Sequence, residues 1–457
     1  MENNANNTSQ MGEENITKLI IRFSLPATIG MLVMATYNIV DTIFVGRLGS
    51  EAIAALSVAF PLQMLLGAIG IGSGIGTASL ISRSLGAGNK EEAQKALGQV
   101  LILALIFGLI TALAGFFCLR PLLVFLGTNA EIIGLTEDYL RVITNGSVAF
   151  YLIMILNNTV RAEGNPMFSM KMMIVSALAN VALDPIFIFL LDMGVRGAAI
   201  ATVISKVVGI AMMLHYFFTG NSVLKMQRSN FILHWKTIRD IYKIGFPAMI
   251  LQFSNNISLI IANAILAGYG HIPVAVMGLI FRLQMLAIMP VLGVSQGLLP
   301  IIGFNYGASK LNRIRETLLK GAAISTVFIT VAGIFFFLKP AFFLSIFNAE
   351  EELLALGRYA LRIMVIMFPC IGFQIISTTF FQAIGKGIPS LLLSLLREVM
   401  LFIPFMFLLS TLHGLTGFWV ARPMSDLLSF LLTFIILSFE LKRQGIPLWQ
   451  KQTLVKT

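Results

Sequence analysis

The chain has few of the residues that a water-soluble protein needs at its surface. Only 12% of its 457 residues are charged and 57% are apolar, whereas soluble domains carry about 25% charged residues. The mean hydropathy is +0.88. So few charges are too few to cover a 50.0 kDa globule in water. The composition therefore excludes most classes of soluble enzyme and predicts a protein that crosses the membrane many times.

The sequence also lacks metal, redox and nucleotide motifs. Its two cysteines, Cys118 and Cys370, are isolated in apolar segments, no CxxC or Cys/His spacing occurs, and the four histidines are scattered. We therefore expect no metal centre, no disulfide and no cofactor. No Walker A sequence is present, so ATP is not expected to drive the protein directly. Because no nucleophile–base pair or metal cluster is evident, we do not expect an enzyme.

Positive charge is abundant, with a formal net charge of +11, but it is distributed among short polar breaks. The cations fall mainly in alternate breaks, such as Lys90 with Lys95 and the segment 225–243. This alternation is typical of cytoplasmic loops. It predicts a multi-pass protein of the cell (inner or plasma) membrane with both termini in the cytoplasm, and it argues against nucleic acid as a partner.

Apolar segments between the polar breaks predict an all-α polytopic membrane protein with twelve transmembrane helices. The expected spans lie at 17–46, 53–82, 96–119, 138–161, 168–191, 197–218, 241–267, 273–301, 317–338, 355–382, 390–411 and 415–439.

The two halves of the chain are related by an internal repeat. Pro26 and Pro247 match at an offset of 221 residues, as do Gly49 and Gly270, and many further glycines recur at the same offset. Each half holds six spans, so the halves share one orientation and are related by a pseudo-two-fold axis along the membrane normal.

The repeat predicts two six-helix bundles. We place the N-lobe at 1–219, a cytoplasmic linker at 220–240 and the C-lobe at 241–457. Two bundles with a cleft between them are an architecture for alternating access, which favours a secondary transporter.

Two carboxylates in the predicted spans have no counterpart in the repeat. Asp41 lies in the first span and Asp184 in the fifth, and the matching positions hold Ala262 and Ile403. A charged residue in the membrane costs about 2.5–3.5 kcal/mol on insertion scales, so such residues are functional candidates. We therefore predict an ion site confined to the N-terminal half.

Other polar side chains fit this site by their spacing. Asn180 lies four residues before Asp184 on one helix face, Tyr37 lies four residues before Asp41, and Thr202 adds a hydroxyl from the sixth span. Carboxylate, amide and hydroxyl oxygens suit a hard cation such as Na⁺. A buried pair of carboxyls suits a proton equally well. The alternative interpretation is that these side chains only hydrogen-bond one another and hold the helices together.

Several segments resemble the multidrug and toxic compound extrusion (MATE) family. They are 23–26 (FSLP), 38–46 (NIVDTIFVG), 161–166 (RAEGNP) and 194–199 (GVRGAA). The resemblance covers nearly the whole chain and implies a drug/cation antiporter. Such a protein exports amphipathic, often cationic compounds against an inward flow of H⁺ or Na⁺.

The resemblance also implies roles for particular residues. It assigns the cation site to Asp41, Asn180, Asp184 and Thr202, and it associates substrate binding or helix bending with Tyr37, Tyr139, Asn157 and Pro26. Other branches of the family carry an acid in the seventh span, and this chain has none there.

The sequence leaves open a second kind of cargo. Flippases of lipid-linked precursors belong to the same broad superfamily and usually need a cationic cleft for pyrophosphate, for which Arg282 and Arg422 are the candidates. A receptor or scaffold gives no reason for two intramembrane acids in one half. We expect drug-like small molecules as substrates, a lipid bilayer as the setting and a monomeric protein.

Overall fold

The computed structural model describes residues 8–125, 127–220, 222–347 and 351–446, and within these ranges the chain forms helices and no strands. The first half holds α1 (Ile16–Gly46), α2 (Ser50–Gly86), α3 (Lys90–Phe125), α4 (Ala130–Asn145), α5 (Ser147–Ala162), α6 (Pro166–Pro185) and α7 (Gly194–Phe218). The second half holds α8 (Trp235–Ala267), α9 (His271–Gly307), α10 (Leu311–Leu338), α11 (Pro340–Ser345), α12 (Glu351–Val365), α13 (Phe368–Ala383), α14 (Gly387–Leu395) and α15 (Phe402–Arg443).

The number of spans agrees with the sequence. In the described ranges nine helical stretches are long and apolar enough to cross a membrane, and two bent pairs, α4 with α5 and α12 with α13, complete one span each. The last stretch, Gly387–Arg443, is divided by Gly414, whose φ of 59° and ψ of −142° are not helical. This division completes the twelve predicted transmembrane helices.

Two of the predicted spans are bent. The pair α4 and α5 meets at 52° at Gly146, and α12 and α13 meet at 50° beside Met367. These two positions are equivalent in the repeat. A Cβ atom on Gly146 would lie 2.4 Å from Cγ2 of Val203, so glycine lets the bend pack against α7. In the second half Pro369 stands in the first turn of α13, where its missing N–H costs nothing.

A short π-helical segment lies in the fifth span of each half, at Ile186–Leu190 and Leu396–Leu401. In the first half it follows Pro185, which has no N–H to donate to the helix. The two segments lie at similar positions in the two halves. A buried acid accompanies each of them: Asp184 precedes the first segment, and Glu398 lies within the second. π-Bulges are frequently found at functional sites.

The halves meet on the face where α1 begins and α15 ends, which we call the termini face. There α1 packs on α9, and α2 packs on α8 and α9. The closest approach is reciprocal: a Cβ on Gly86 would lie 1.9 Å from the carbonyl oxygen of Phe304, and one on Gly307 would lie 2.0 Å from that of Arg83. Only glycine permits helices to pack at this distance.

The hydrogen bonds between the halves lie on the side of the termini face. Ser73 pairs with Tyr242 at 2.9 Å, and Ser79 donates to the carbonyl of Gln382 at 2.5 Å. Among the described residues, the hydrogen bonds between the halves reach no farther along α1 than Met31, whose sulfur accepts from Gln296. The cleft between the halves therefore opens toward the face opposite the termini.

The predicted linker is packed rather than free. Asn230 is buried, and Gln99 of α3 donates to its carbonyl at 2.9 Å and to that of Ile232 at 2.7 Å. Helix α8 also begins earlier than the predicted span, at Trp235 rather than at residue 241. The boundaries of the lobes stay a prediction.

Candidate cation site

Three of the predicted site residues meet where α6 and α7 pack together. The amide of Asn180 donates to Oδ1 of Asp184 at 3.1 Å and to the hydroxyl of Thr202 at 3.4 Å. Asp184 is 0% exposed and Asn180 is 1% exposed. The side-chain spacing of four residues on α6 produces the first contact, and close packing of the two helices produces the second.

Small residues at the start of α7 allow this close packing. A Cβ on Gly197 would lie 2.5 Å from the carbonyl oxygen of Phe187, in the π-helical segment after α6. Ala198 and Ala199 follow and are fully buried. The backbone of α7 can therefore approach α6 and bring Thr202 to Asn180.

Asp41 reaches the same region from α1. This helix packs along α6, and the charge of Asp41 interacts with those of Asp184 and Lys206. Tyr37, one turn earlier, also lies within electrostatic range of both acids. The structure thus brings the two predicted carboxylates into one cluster.

Tyr139 joins this cluster from α4. It is buried, and its hydroxyl accepts a hydrogen bond from the amide of Gln63 at 2.6 Å. It lies within electrostatic range of Asp41, Tyr37 and Asp184. The cluster therefore draws side chains from α1, α2, α4, α6 and α7.

Three oxygen atoms in the cluster are buried without a hydrogen-bond donor among the described residues. They are Oδ1 of Asp41, Oδ1 of Asn180 and Oδ2 of Asp184. A buried polar atom left unpaired costs about 1–3 kcal/mol. All three atoms are acceptors, so a monovalent cation coordinated by them, or protons on the two carboxyls, would remove this cost. No cluster of three His, Cys, Asp or Glu side chains suited to a metal ion occurs in the described ranges.

Sequence reasoning gave Lys206 no role at this site. It is 9% exposed on α7, with its Nζ 4.3 Å from the centroid of the Phe150 ring and its charge acting on Asp41. The available signal was its position four residues after Thr202, on the same helix face.

Two predicted residues lie outside the cluster. Pro26 is buried within the continuous helix α1, 15 residues before Asp41, which is about 22 Å along a helix. Asn157 donates to the carbonyl of Ser169 at 3.4 Å and so links α5 to the first turn of α6.

The second half contains a buried ionic cluster that the sequence did not predict. Arg422 donates to both oxygens of Glu398 at 2.9 Å, and Arg397 donates to Asp426 at 2.8 Å. We call these four residues the C-half tetrad. The sequence predicted an ion site in the first half only; the second half has buried acids too, each bound to an arginine.

The repeat relates the tetrad to the candidate cation site and shows how the two regions differ in charge. At the offset of 220 that relates Gly194 to Gly414, Thr202 corresponds to Arg422 and Lys206 corresponds to Asp426. Where the first half has the neutral hydroxyl of Thr202, the second half therefore has a guanidinium. In the second half, the side chain of Arg422 thus supplies a positive charge at this position.

Known proteins share this arrangement of helices. The MatE family model matches residues 26–186 and 247–413, which is most of the chain and covers both halves of the repeat. The chain belongs to the MatE family. Its matched segments contain the first five spans of each half, with Asp41 and Asp184 among them.

Relatives of this MatE protein include transporters from two staphylococci. The multidrug export protein MepA of Staphylococcus saprophyticus is 29% identical over 429 residues, which are 93% of this chain and 95% of the relative. MepA of Staphylococcus aureus strain MSSA476 is 28% identical over 426 residues, covering 92% and 94%. Because these relatives are export proteins, the expectation that the MatE protein is not an enzyme is confirmed.

Solved structures of MATE transporters superpose on this chain over nearly its whole length. An outward-facing multidrug resistance MATE transporter of the MOP superfamily superposes with a TM-score of 0.91 at 27% identity, covering 95% of this chain and 98% of that one. A MATE protein in the bent conformation gives 0.91 at 28% identity, covering 96% and 98%. This MatE protein is therefore a multi-pass membrane transporter with the two-lobe fold, as the sequence predicts.

Proposed function

We propose that this MatE protein is a multidrug efflux antiporter that exports amphipathic, often cationic compounds and is driven by H⁺ or Na⁺. The relatives named above as multidrug export proteins support the export of drugs. The three unpartnered oxygens of Asp41, Asn180 and Asp184 carry the proposal of cation coupling.

The position of the site supports exchange of a cation for a drug. Asp41 lies near the end of α1 that is remote from the termini face and is only partly buried, whereas Asp184 is fully buried. A cation entering the open cleft meets Asp41 first and then the interior site. Its charge neutralises the carboxylates, and a cationic substrate that had been attracted to them loses that attraction and leaves through the same opening.

Export requires that the cleft open to the outside, which agrees with the proposed orientation. The termini face would be cytoplasmic, as the distribution of Lys and Arg indicates. Coupling then follows alternating access: the loaded cation travels inward when the halves separate at the termini face, and the next drug enters there. One copy of the chain contains the whole path, so we propose a monomer without a cofactor.

Reconstituted transport tests this function. Liposomes containing the protein would be given a fluorescent lipophilic cation and then an imposed proton gradient or sodium gradient. We expect one gradient to drive export, with the effective gradient identifying the coupling ion. Asp41→Asn and Asp184→Asn should each abolish driven export, because each removes a charge that the cation must neutralise.

Asp192→Asn is the matched control, since this acid is exposed in the turn before α7 and lies outside the cluster. Driven export that persists in both Asp41→Asn and Asp184→Asn would contradict the cation site. Absence of export under both gradients, from protein shown to be folded, would contradict the antiporter. Lipid-linked precursors would then be assayed, although Arg422 is already bound to Glu398 and offers no free charge to a pyrophosphate.

A further inference from the structure

A small cavity of about 40 Å³ lies between the halves near the termini face. Its polar lining comes from both halves and consists of Asn158, Arg161, Ser295, Gln296 and Gln382. None of the four residues of the candidate cation site lines it, and the proposed coupling assigns its polar side chains no role.

The cavity lies on the pseudo-two-fold axis. Arg161 and Gln382 both line it, and they occupy equivalent positions in the repeat, as do Ile75 and Gln296. Residues related by a two-fold operation meet only at its axis. Because the repeat has an arginine on one side and a glutamine on the other, this axial cavity carries a single positive charge.

That charge has no carboxylate to neutralise it. Arg161 is 5% exposed, and its guanidinium donates to Oδ1 of Asn158 at 3.0 Å and to Oε1 of Gln296. No acidic group of the described residues acts on it. Glu163, two residues later, instead accepts from Ser222 and from the backbone of Val223.

A buried cation of this kind calls for a counterion. Buried charges in proteins are normally paired, because the loss of water is costly. The lining adds a neutral group that donates hydrogen bonds to anions, the amide of Gln382. The volume admits one small ion, with or without a water molecule.

We propose that this axial cavity binds a small monovalent inorganic anion of the size of chloride, held by Arg161 and completed by the amide of Gln382. Since each half contributes part of the lining, the site is complete only while the halves are closed at the termini face. The anion therefore stabilises the conformation whose cleft opens on the opposite face.

Thermal unfolding of the purified protein tests this proposal. Chloride would be replaced stepwise by gluconate, which is too large for the cavity, at constant sodium concentration and ionic strength. The wild-type protein should unfold at a temperature higher by about 2 °C or more in chloride, because a ligand that binds only the folded state raises its stability. Bromide should act like chloride.

Two variants should each abolish the dependence of the unfolding temperature on chloride, one by removing the positive charge of the cavity and the other by neutralising it. Arg161→Gln removes the charge that the anion neutralises. Gln382→Glu introduces a carboxylate that neutralises Arg161 from within the chain. Both should lose the chloride dependence, and the second should be stable without chloride. Arg358→Gln, which alters an exposed arginine on α12, is the matched control and should keep the wild-type response.

Crystals grown in bromide provide a direct measurement. We expect an anomalous peak beside Arg161 in the wild-type protein and none in Gln382→Glu. If the wild-type protein unfolds at the same temperature in both salts, or if both cavity variants keep the chloride response, the proposal is wrong. Because Gln382→Glu retains Arg161 and its contacts, it serves as the test even if Arg161→Gln does not fold.

Discussion

Glu163 connects three segments at the end of α5. Its backbone carbonyl accepts from Thr8 at 2.6 Å, and its carboxylate accepts from the hydroxyl of Ser222 at 2.6 Å and from the amide of Val223 at 3.2 Å. The side chain is 2% exposed. One acid therefore joins the chain start, the turn before α6 and the segment after α7.

The pH dependence of stability should reveal this acid. Burial raises the pKa of Glu163 from 4.5 to about 7, so the folded protein keeps a proton that the unfolded chain has released. Glu163 thus contributes stability that is complete below pH 4.5 and is lost as the pH rises to about 7. In Glu163→Gln the unfolding temperature should depend less on pH over this interval, as measured by thermal unfolding in detergent.

Glu131→Gln is the control for this measurement, because Glu131 is an exposed glutamate in the first turn of α4. Its pH profile should match that of the wild-type protein. Identical profiles for all three proteins would show that Glu163 does not titrate differently in the folded state.

At this scale the sequence predicted the Asn180–Asp184 pair and its grouping with Thr202, and it missed the ion pairs of the C-half tetrad. Asn180 and Asp184 were assigned to one face from their spacing, and they do form a hydrogen bond. Arg397 and Asp426 lie 29 residues apart on different helical segments, and no pattern along the chain pairs them. Ion pairs between distant residues depend on how the helices pack, so they can be identified only once the helices have been placed in three dimensions.

Among the helices, α2 and α9 determine how closely the halves approach. Gly86 faces the backbone of Phe304, and Gly307 faces that of Arg83. A methyl group at either glycine would overlap a carbonyl oxygen that belongs to a helix and cannot move alone. The contact can therefore form with hydrogen as the side chain and with nothing larger.

Gly86→Ala should open the termini face. The added Cβ would lie 1.9 Å from an oxygen atom, so the halves must separate there, and the population should shift toward the conformation that is open at this face. Spin labels on either side of the contact would report a longer distance in the variant. Gly67→Ala on the same helix is the control, because a Cβ at that position meets nothing within 4 Å. Equal distances in both variants would refute this account.

The helices were also predicted where the information is local in the sequence, and their bends were missed because those depend on packing against other helices. Apolar segment length gave all twelve spans, because a bilayer demands a minimum length of helix. The bends at Gly146 and Met367 were missed, since an apolar sequence continues through each of them. Hydropathy reports that a segment lies in the membrane and does not report its direction there.

For the whole molecule, alternating access requires that the halves separate at the termini face in each cycle. A Cβ on Gly303 would lie 3.1 Å from the Cβ of Ser82 in the other half. This is shorter than the roughly 3.5–4.5 Å between the Cβ atoms of a disulfide, so a small outward shift of the two helices brings the pair into range. Ser82→Cys combined with Gly303→Cys, in a background without Cys118 and Cys370, should crosslink on oxidation. Driven export in liposomes should then stop and return after reduction.

Each single substitution in the same background is the control, and neither should respond to oxidant. Export that continues at the wild-type rate in fully crosslinked protein would show that the halves need not part at this face. The measurement is independent of the cation site, since both positions lie near the termini face.

The C-half tetrad contains two guanidinium groups and two carboxylates, and its formal charge is therefore zero. A transmembrane voltage acts on each unit charge with about 2.3 kcal/mol per 100 mV, and these opposing contributions cancel. The equivalent region of the first half has Asp41, Asp184 and Lys206, whose net charge would change on binding the proposed coupling cation. If the proposed coupling holds, the membrane voltage acts on the charge of the first-half cluster, whereas its effects on the charges of the tetrad cancel.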